Sequence, residues 1–253
     1  MPGSVQSIQR AAAILHLLAA SAGRLSLAEV SSSLGLAKGT AHGLLRTLRE
    51  LGLVEQDRAS AQYRLGPALL QLGTSYLDVN ELRARSLNWA DSLAAHVAET
   101  VRLGSLLKNQ VLVVHHVFRP DDSPQVLDVG TLLPAHATAL GKALLAYAPT
   151  AVRALPQIER YTRRTVVSMA RLRQELTRVR RAGVAVENEE WLVGTAGIAA
   201  PIRGSGGLVV GSIGLSGPVE RLCLTSGAPR PALAAAVTDA AAAIARELEP
   251  DRR

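Results

Sequence analysis

Gly23, Gly35 and Gly52 cut the first fifty-odd residues into helical pieces too short to stand alone, and this punctuation constrains the chain most. Ile8, Ala11, Ala12, Leu15 and Leu18 recur at helical spacing and predict a first helix over 5–21. Ser26, with Glu29 three residues on, has the capping-box pattern and opens a short second helix that runs to Leu34. Gly35 breaks it, and a third helix follows over 38–51 until Gly52 stops it. Leu53–Asp57 and Gln62–Leu65 predict two short strands around a turn at 58–61. Short amphipathic helices must bury their apolar stripes against one another. The sequence therefore predicts one compact unit of helix, helix, tight turn, helix and hairpin.

Apolar residues make up 48% of the 253 positions and charged residues 19%, which is enough to bury a core and excludes wholesale disorder. Cys223 is the single cysteine, so an intrachain disulfide and a cysteine-based zinc site are excluded. The opening MPGSVQSIQR lacks a basic-then-apolar signal pattern, and no run approaches 18 uninterrupted apolar residues. A cytoplasmic protein is expected. The predicted organisation is a helical first domain over 1–66, a linker helix over 67–80 and a second domain over 81–253. In the last, 81–99, 137–147, 171–182 and 232–248 read as helices, while Val111–Val114 and Leu208–Ile213 read as buried strands. Their mixed order predicts an α/β (α+β) domain rather than a doubly wound one.

The third helix carries the first functional signal. Ala41, Leu44, Leu45 and Leu48 share one face, which has to pack on the other two helices. The opposite face shows Lys38, Gly39, Thr40, His42, Gly43, Arg46 and Thr47, with no carboxylate before Glu50. Small residues beside hydrogen-bond donors let a helix sit deep in the major groove and present side chains to bases and phosphates. The Gly35 turn suits a helix-turn-helix, and the hairpin with Arg58, Gln62 and Arg64 would be a wing along the backbone. A basic helix is often only a solvated surface. Turn, face, wing and the excess of 28 Lys+Arg over 21 Asp+Glu together favour duplex DNA as the partner. One short helix reads too few bases, so a symmetric oligomer is expected.

The stretches VQSIQRAAAILHLLA, LSLAEVSSSLGLAKGTAHGLLRTLRELGLVEQD and YRLGPALLQLG resemble the winged helix-turn-helix of the IclR family of bacterial transcription regulators. The resemblance continues through LPAHATALGKALLA, AGVAVENEEWLVGTAGIAAPI and GSIGLSGPVERL, and so covers nearly the whole chain. Within the family, SLGLAKGTAHG, YLDVNELRAR and VVHHVFRPDD are most similar to actinomycete regulators of glycerol operons. The resemblance implies an effector-binding domain with a curved mixed sheet flanked by helices lying on one side. It also implies a pocket involving Leu133, Ala139, Leu140, Glu187, Thr195, Gly197, Gly214 and Ser216. Some members have Asp, Cys and Ser where this chain has Glu187, Gly197 and Gly214. It implies a repressor of a metabolic operon, glycerol catabolism first, with an activator or repressor of aromatic or organic-acid catabolism as the alternative.

Pro134 and Thr138 stand where a helix begins, so amides near Ala139 and Leu140 are available to an anionic or hydroxyl oxygen. Glu187 accepts hydrogen bonds and Ser216 both donates and accepts, which suits a small polyol or its phosphate better than a greasy ligand. The expected partners are operator DNA, a small effector (polyol, polyol phosphate or organic acid) and further copies of the chain in a homodimer or homotetramer. No cofactor or metal is expected. His115 and His116 are adjacent on a strand and point to opposite faces. Glu187, Glu189 and Glu190 read as a solvated turn, His136 as packing or ligand contact, and Gly204–Gly207 as a hairpin turn rather than a phosphate loop. HExxH, a nucleophile elbow and a complete P-loop are missing, so a hydrolase is the lesser reading. A nucleic-acid-packaging protein would have no use for the pocket-like second domain.

Overall fold

The computed structural model describes residues 5–21, 24–57, 59–72, 81–121, 123–155 and 158–248. Two compact units emerge, Met1–Val79 and Asn80–Arg253.

The first unit is three helices and a hairpin: α1 (Gln6–Ala20), α2 (Leu27–Leu34), α3 (Lys38–Glu50), β1 (Val54–Gln56) and β2 (Tyr63–Leu65). The Ser26 hydroxyl accepts the Glu29 amide at 3.3 Å while the Ser26 amide donates to Glu29 Oε2 at 2.7 Å, a complete capping box. Gly35 closes α2 in the left-handed region at φ 61°, and this bend sends α3 across its predecessors. Ile14, Leu18, Val30, Leu45, Leu48, Val54 and Tyr63 form the core. A two-stranded hairpin is marginal by itself. Here Leu25 exchanges both backbone hydrogen bonds with Tyr63, at 3.0 and 2.7 Å, and anchors the wing to the segment before α2. Residues 68–72 are helical, and the rest of the expected linker helix, 73–80, lies outside the described residues.

The second unit contains α4 (Glu81–Val97), β3 (Thr100–Leu107), β4 (Gln110–Val117), β5 (Leu132–Pro134), α5 (Ala139–Leu145), α6 (Pro149–Arg153), α7 (Met169–Ala182), β6 (Ala185–Asn188), β7 (Thr195–Arg203), β8 (Val209–Pro218), α8 (Val219–Leu222) and α9 (Pro231–Leu248). The strands form one sheet in the order β5-β4-β3-β8-β7-β6. This is the α+β class expected, with two differences of detail. Every neighbouring pair is antiparallel, where a mixed sheet was expected. Short hairpins join β3 to β4 and β7 to β8, and the long helical passage from β5 to β6 crosses to the opposite edge instead of returning beside its own strand.

Helices also cover both faces, not one. Ser212 Oγ donates to the Leu140 carbonyl of α5 at 3.1 Å on one side, whereas a Cβ on the adjacent Gly211 would strike Leu82 of α4 on the other. Along β7, Ala199 joins the core under α5 and α7, while Ile198, Ala200 and Ile202 alternate to the face where α9 lies. A strand enclosed on both faces needs apolar residues at successive positions, hence the run GIAAPI.

Candidate functional site

α3 buries Ala41, Leu45 and Leu48 and turns Lys38, Gly39, Thr40, His42, Arg46, Thr47 and Arg49 to solvent, with Gly43 half-buried. A Cβ on Gly39 or Gly43 would meet nothing within 4 Å, so the glycines leave bare backbone where another surface can come close to the helix axis. Arg46 Nε lies 3.8 Å from Glu50 Oε1, both side chains over 60% exposed; such a pair is weak enough to yield to a phosphate. Thr47 Oγ1 donates to the Gly43 carbonyl at 3.2 Å. Arg49 Nη1 donates to Gln56 Oε1 at 2.9 Å and ties the helix to the wing. On the wing, Arg64 pairs across the strands with Glu55 at 2.8 Å, and Arg58 lies outside the described residues.

In the second unit the strand register itself assembles a site. Glu187 stands opposite Gly197, Gly197 opposite Ser216 and Ser216 opposite Thr100. One rung further, Arg102 stands opposite Gly214 and Gly214 opposite Ala199. Directly opposed residues share a face, so Glu187, Ser216 and Arg102 rise from one side of the sheet. The start of α5, Leu133 of β5 and Trp191 close over them around a cavity of about 30 Å³, room for roughly two waters. α5 is buried at all seven positions. Thr138 caps it, with Oγ1 accepting the Gly141 amide at 3.3 Å and donating to the Pro134 carbonyl at 2.9 Å. Gly141 is required because a Cβ there would enter the Ala135 backbone.

Two charged centres border the cavity. Glu187 is 5% exposed, and its Oε1 accepts the amides of Glu190 and Trp191 at 2.8 and 3.4 Å. Burial outweighs these hydrogen bonds and pushes its carboxyl up to about 7. Arg102 sends Nε and Nη2 to the same Asp128 oxygen, at 2.6 and 2.5 Å, and the Asp128 amide donates to His116 Nδ1 at 3.0 Å. On the far side of α5, Lys142 is 1% exposed and its Nζ reaches Glu175 at 2.6 Å and Glu190 at 2.5 and 2.7 Å.

Seven of the eight residues expected at a pocket, Leu133, Ala139, Leu140, Glu187, Gly197, Gly214 and Ser216, line this one cavity. Thr195 does not: it lies beyond the end of β6, and its hydroxyl donates to the Leu192 carbonyl at 2.9 Å in the preceding turn. The acidic run 187–190 is not the solvated turn expected, because Glu187 and Glu190 are buried and Glu189 pairs with Arg164 at 3.1 Å. His136 packs, with Nε2 on the Glu159 carbonyl at 2.9 Å and its ring stacked on Tyr161. His115 and His116 do part to opposite faces, toward Arg83 of α4 and Arg102 of β3, and no metal-holding group of His, Cys, Asp or Glu occurs among the described residues. Sequence reasoning missed Arg102 and Trp191 as cavity walls; an arginine at the centre of the apolar strand TVRLGSLL was the available signal.

A winged helix-turn-helix followed by a domain with a small cavity bordered by Glu187, Ser216 and Arg102 defines a DNA-binding regulator. Residues 7–58 match the IclR helix-turn-helix domain, and residues 74–246 match the bacterial transcriptional regulator IclR C-terminal domain. The chain is 52% identical to the glycerol operon regulatory protein of Streptomyces coelicolor and 50% to that of Streptomyces griseus, each over the full length of both chains. An IclR transcriptional regulator from Alicyclobacillus acidocaldarius superposes with a TM-score of 0.81 at 26% identity, covering 97% of this chain and 99% of that one. The chain belongs to the IclR family of bacterial transcription regulators and is not an enzyme. Regulators of this family bind operator DNA through the helix-turn-helix and an effector through the C-terminal domain. No described helix is long and apolar enough to cross a membrane.

Proposed function

We propose that this chain represses an operon for glycerol catabolism from the cytoplasm and releases its operator when a small polyol, or the phosphate of one, enters the cavity of the second unit. The observation that carries the reading is the convergence of Glu187, Ser216 and Arg102, from three strands, on one enclosed space. The full-length likeness to two glycerol operon regulatory proteins supports the choice of operon. Residues 1–66 read DNA, 67–80 connect and 81–253 sense. Lys38, Gly39, Thr40, His42, Gly43, Arg46 and Thr47 face the groove, with Arg58 and Arg64 on the backbone. The chain acts as a homodimer or a pair of dimers, and the exposed apolar Val5 and Ile8 beside the DNA-reading helices support self-association.

Footprinting of the purified protein on the promoter of a glycerol operon, with and without glycerol and glycerol 3-phosphate, tests this reading. Protection of two symmetric half-sites that either compound abolishes is the expected result. Protection that persists with both compounds and is lifted by an aromatic acid would move the regulator to another pathway.

A further inference from the structure

We infer that Arg102, held in place by Asp128, is the anion-binding group of the sensor cavity, which makes a small hydroxylated anion a better ligand than the neutral polyol. The inference rests on the cavity being the effector site. It deepens that reading by naming the group and the charge of the ligand.

Gly197 and Gly214 stand on the sheet between Glu187 and Arg102, and the only side chains beside them on that floor are the small ones of Ala199 and Ser216. The two groups therefore line one cavity from strands separated by β7 and β8, with the Ser216 hydroxyl between them. Asp128 occupies one edge of the Arg102 guanidinium, through Nε and Nη2 on a single oxygen. It is the only hydrogen-bonding or ion-pairing partner of Arg102 among the described residues, which leaves Nη1 and further N–H groups of the planar fork without one. The Arg102 side chain is 17% exposed; Asp128 offsets part of its charge, and the N–H groups left over offer an anion charge-assisted, directed hydrogen bonds. The Asp128 amide is itself fixed on His116, so the guanidinium enters the site oriented.

Glu187 would repel an anion if ionised. Burial raises its carboxyl to about 7, so a protonated fraction is present at neutral pH, and that form donates to a ligand hydroxyl and carries no charge. The cavity thus suits a molecule with an anionic end at Arg102 and a hydroxyl end at Glu187. The space as it stands holds about two waters. A three-carbon ligand has to widen it, and binding is then coupled to a rearrangement of its walls, as an effector requires.

The test is calorimetric titration of the full-length protein with glycerol, glycerate and glycerol 3-phosphate, for wild type, Arg102→Lys, Arg102→Gln and the paired Arg102→Gln/Asp128→Asn. The double variant removes both charges together and leaves no carboxylate stranded. Wild type is expected to bind at least one of the two anions tenfold or more tightly than glycerol. The double variant should lose at least tenfold for that anion and much less for glycerol, with Arg102→Lys in between. Equal affinity for glycerol and both anions, unchanged in the double variant, would overturn the role of Arg102 and leave the cavity as a polyol site. Failure of all three compounds to bind wild type would overturn both the cavity reading and this one.

Discussion

Gly197 faces Glu187 directly across the β6–β7 pair, and a Cβ placed on it would lie 3.3 Å from Glu187 Oε2 and 3.1 Å from the Ala139 Cβ. Any side chain at Gly197 would therefore push into the cavity wall. Gly197→Val should fill the cavity. The expected outcome is loss of effector binding at a cost of about 1–3 kcal/mol in stability from overpacking. Titration calorimetry and urea unfolding of the same variant measure both, and an effector affinity equal to wild type would refute the assignment of the space.

Burial holds the Glu187 carboxyl up to about 7 against an ordinary 4.5, so the folded chain keeps a proton that the unfolded chain has lost. This contribution to stability is complete below the unfolded value and is lost as pH rises through the folded one. Glu190 and Glu99 are pushed up by burial as well and act in the same direction. Glu187→Gln should flatten the decline in stability between about pH 5 and 8 and exceed wild type at the upper end by up to about 3 kcal/mol. Urea unfolding across that range gives the comparison.

On the DNA-reading face, Arg46→Ala should weaken operator binding by about 1–3 kcal/mol and leave the fold intact, since Arg46 lies opposite the buried Ala41, Leu45 and Leu48. Gly43→Glu should do more damage, because it places a bulky anion at the point of closest approach. Fluorescence anisotropy on labelled operator at several salt concentrations separates a phosphate contact, which lowers the salt slope, from a base contact, which does not.

Lys142 is the cation between two carboxylates, and Lys142→Met would leave Glu175 and Glu190 facing each other without it. Breaking a buried pair in this way costs about 3–5 kcal/mol. The triple change Lys142→Met, Glu175→Gln and Glu190→Gln should recover most of the loss in thermal unfolding. No recovery would mean that packing, not charge, holds α5.

The sequence announced what is local. Ser26, Glu29 and Gly35 act within a few residues of one another, so the cap, the turn and the start of α3 were legible from spacing alone. The pairing of β3 with β8 joins Arg102 to Gly214, more than a hundred residues apart, and no local pattern encodes it. The uniformly antiparallel pairing and the two-faced helical cover were for that reason not legible. The cavity residues became legible only through a family resemblance, which offers positions one by one. Glu187 and Ser216 line the cavity and Thr195 does not, while Arg102 was signalled only by its place in an apolar strand and is brought to the cavity by the register. The burial of Glu187 and Glu190 was hidden because a run of carboxylates looks solvated until Lys142 arrives from another helix.

α5 has no soft side. Its first turn is a wall of the cavity, and Lys142 in the same helix is bolted to α7 through Glu175. A short rod gripped along its whole length has every side chain committed to a neighbour. The wall of a cavity of about 30 Å³ and a fourteen-residue helix on the flank of the same unit are thus tied together through one lysine.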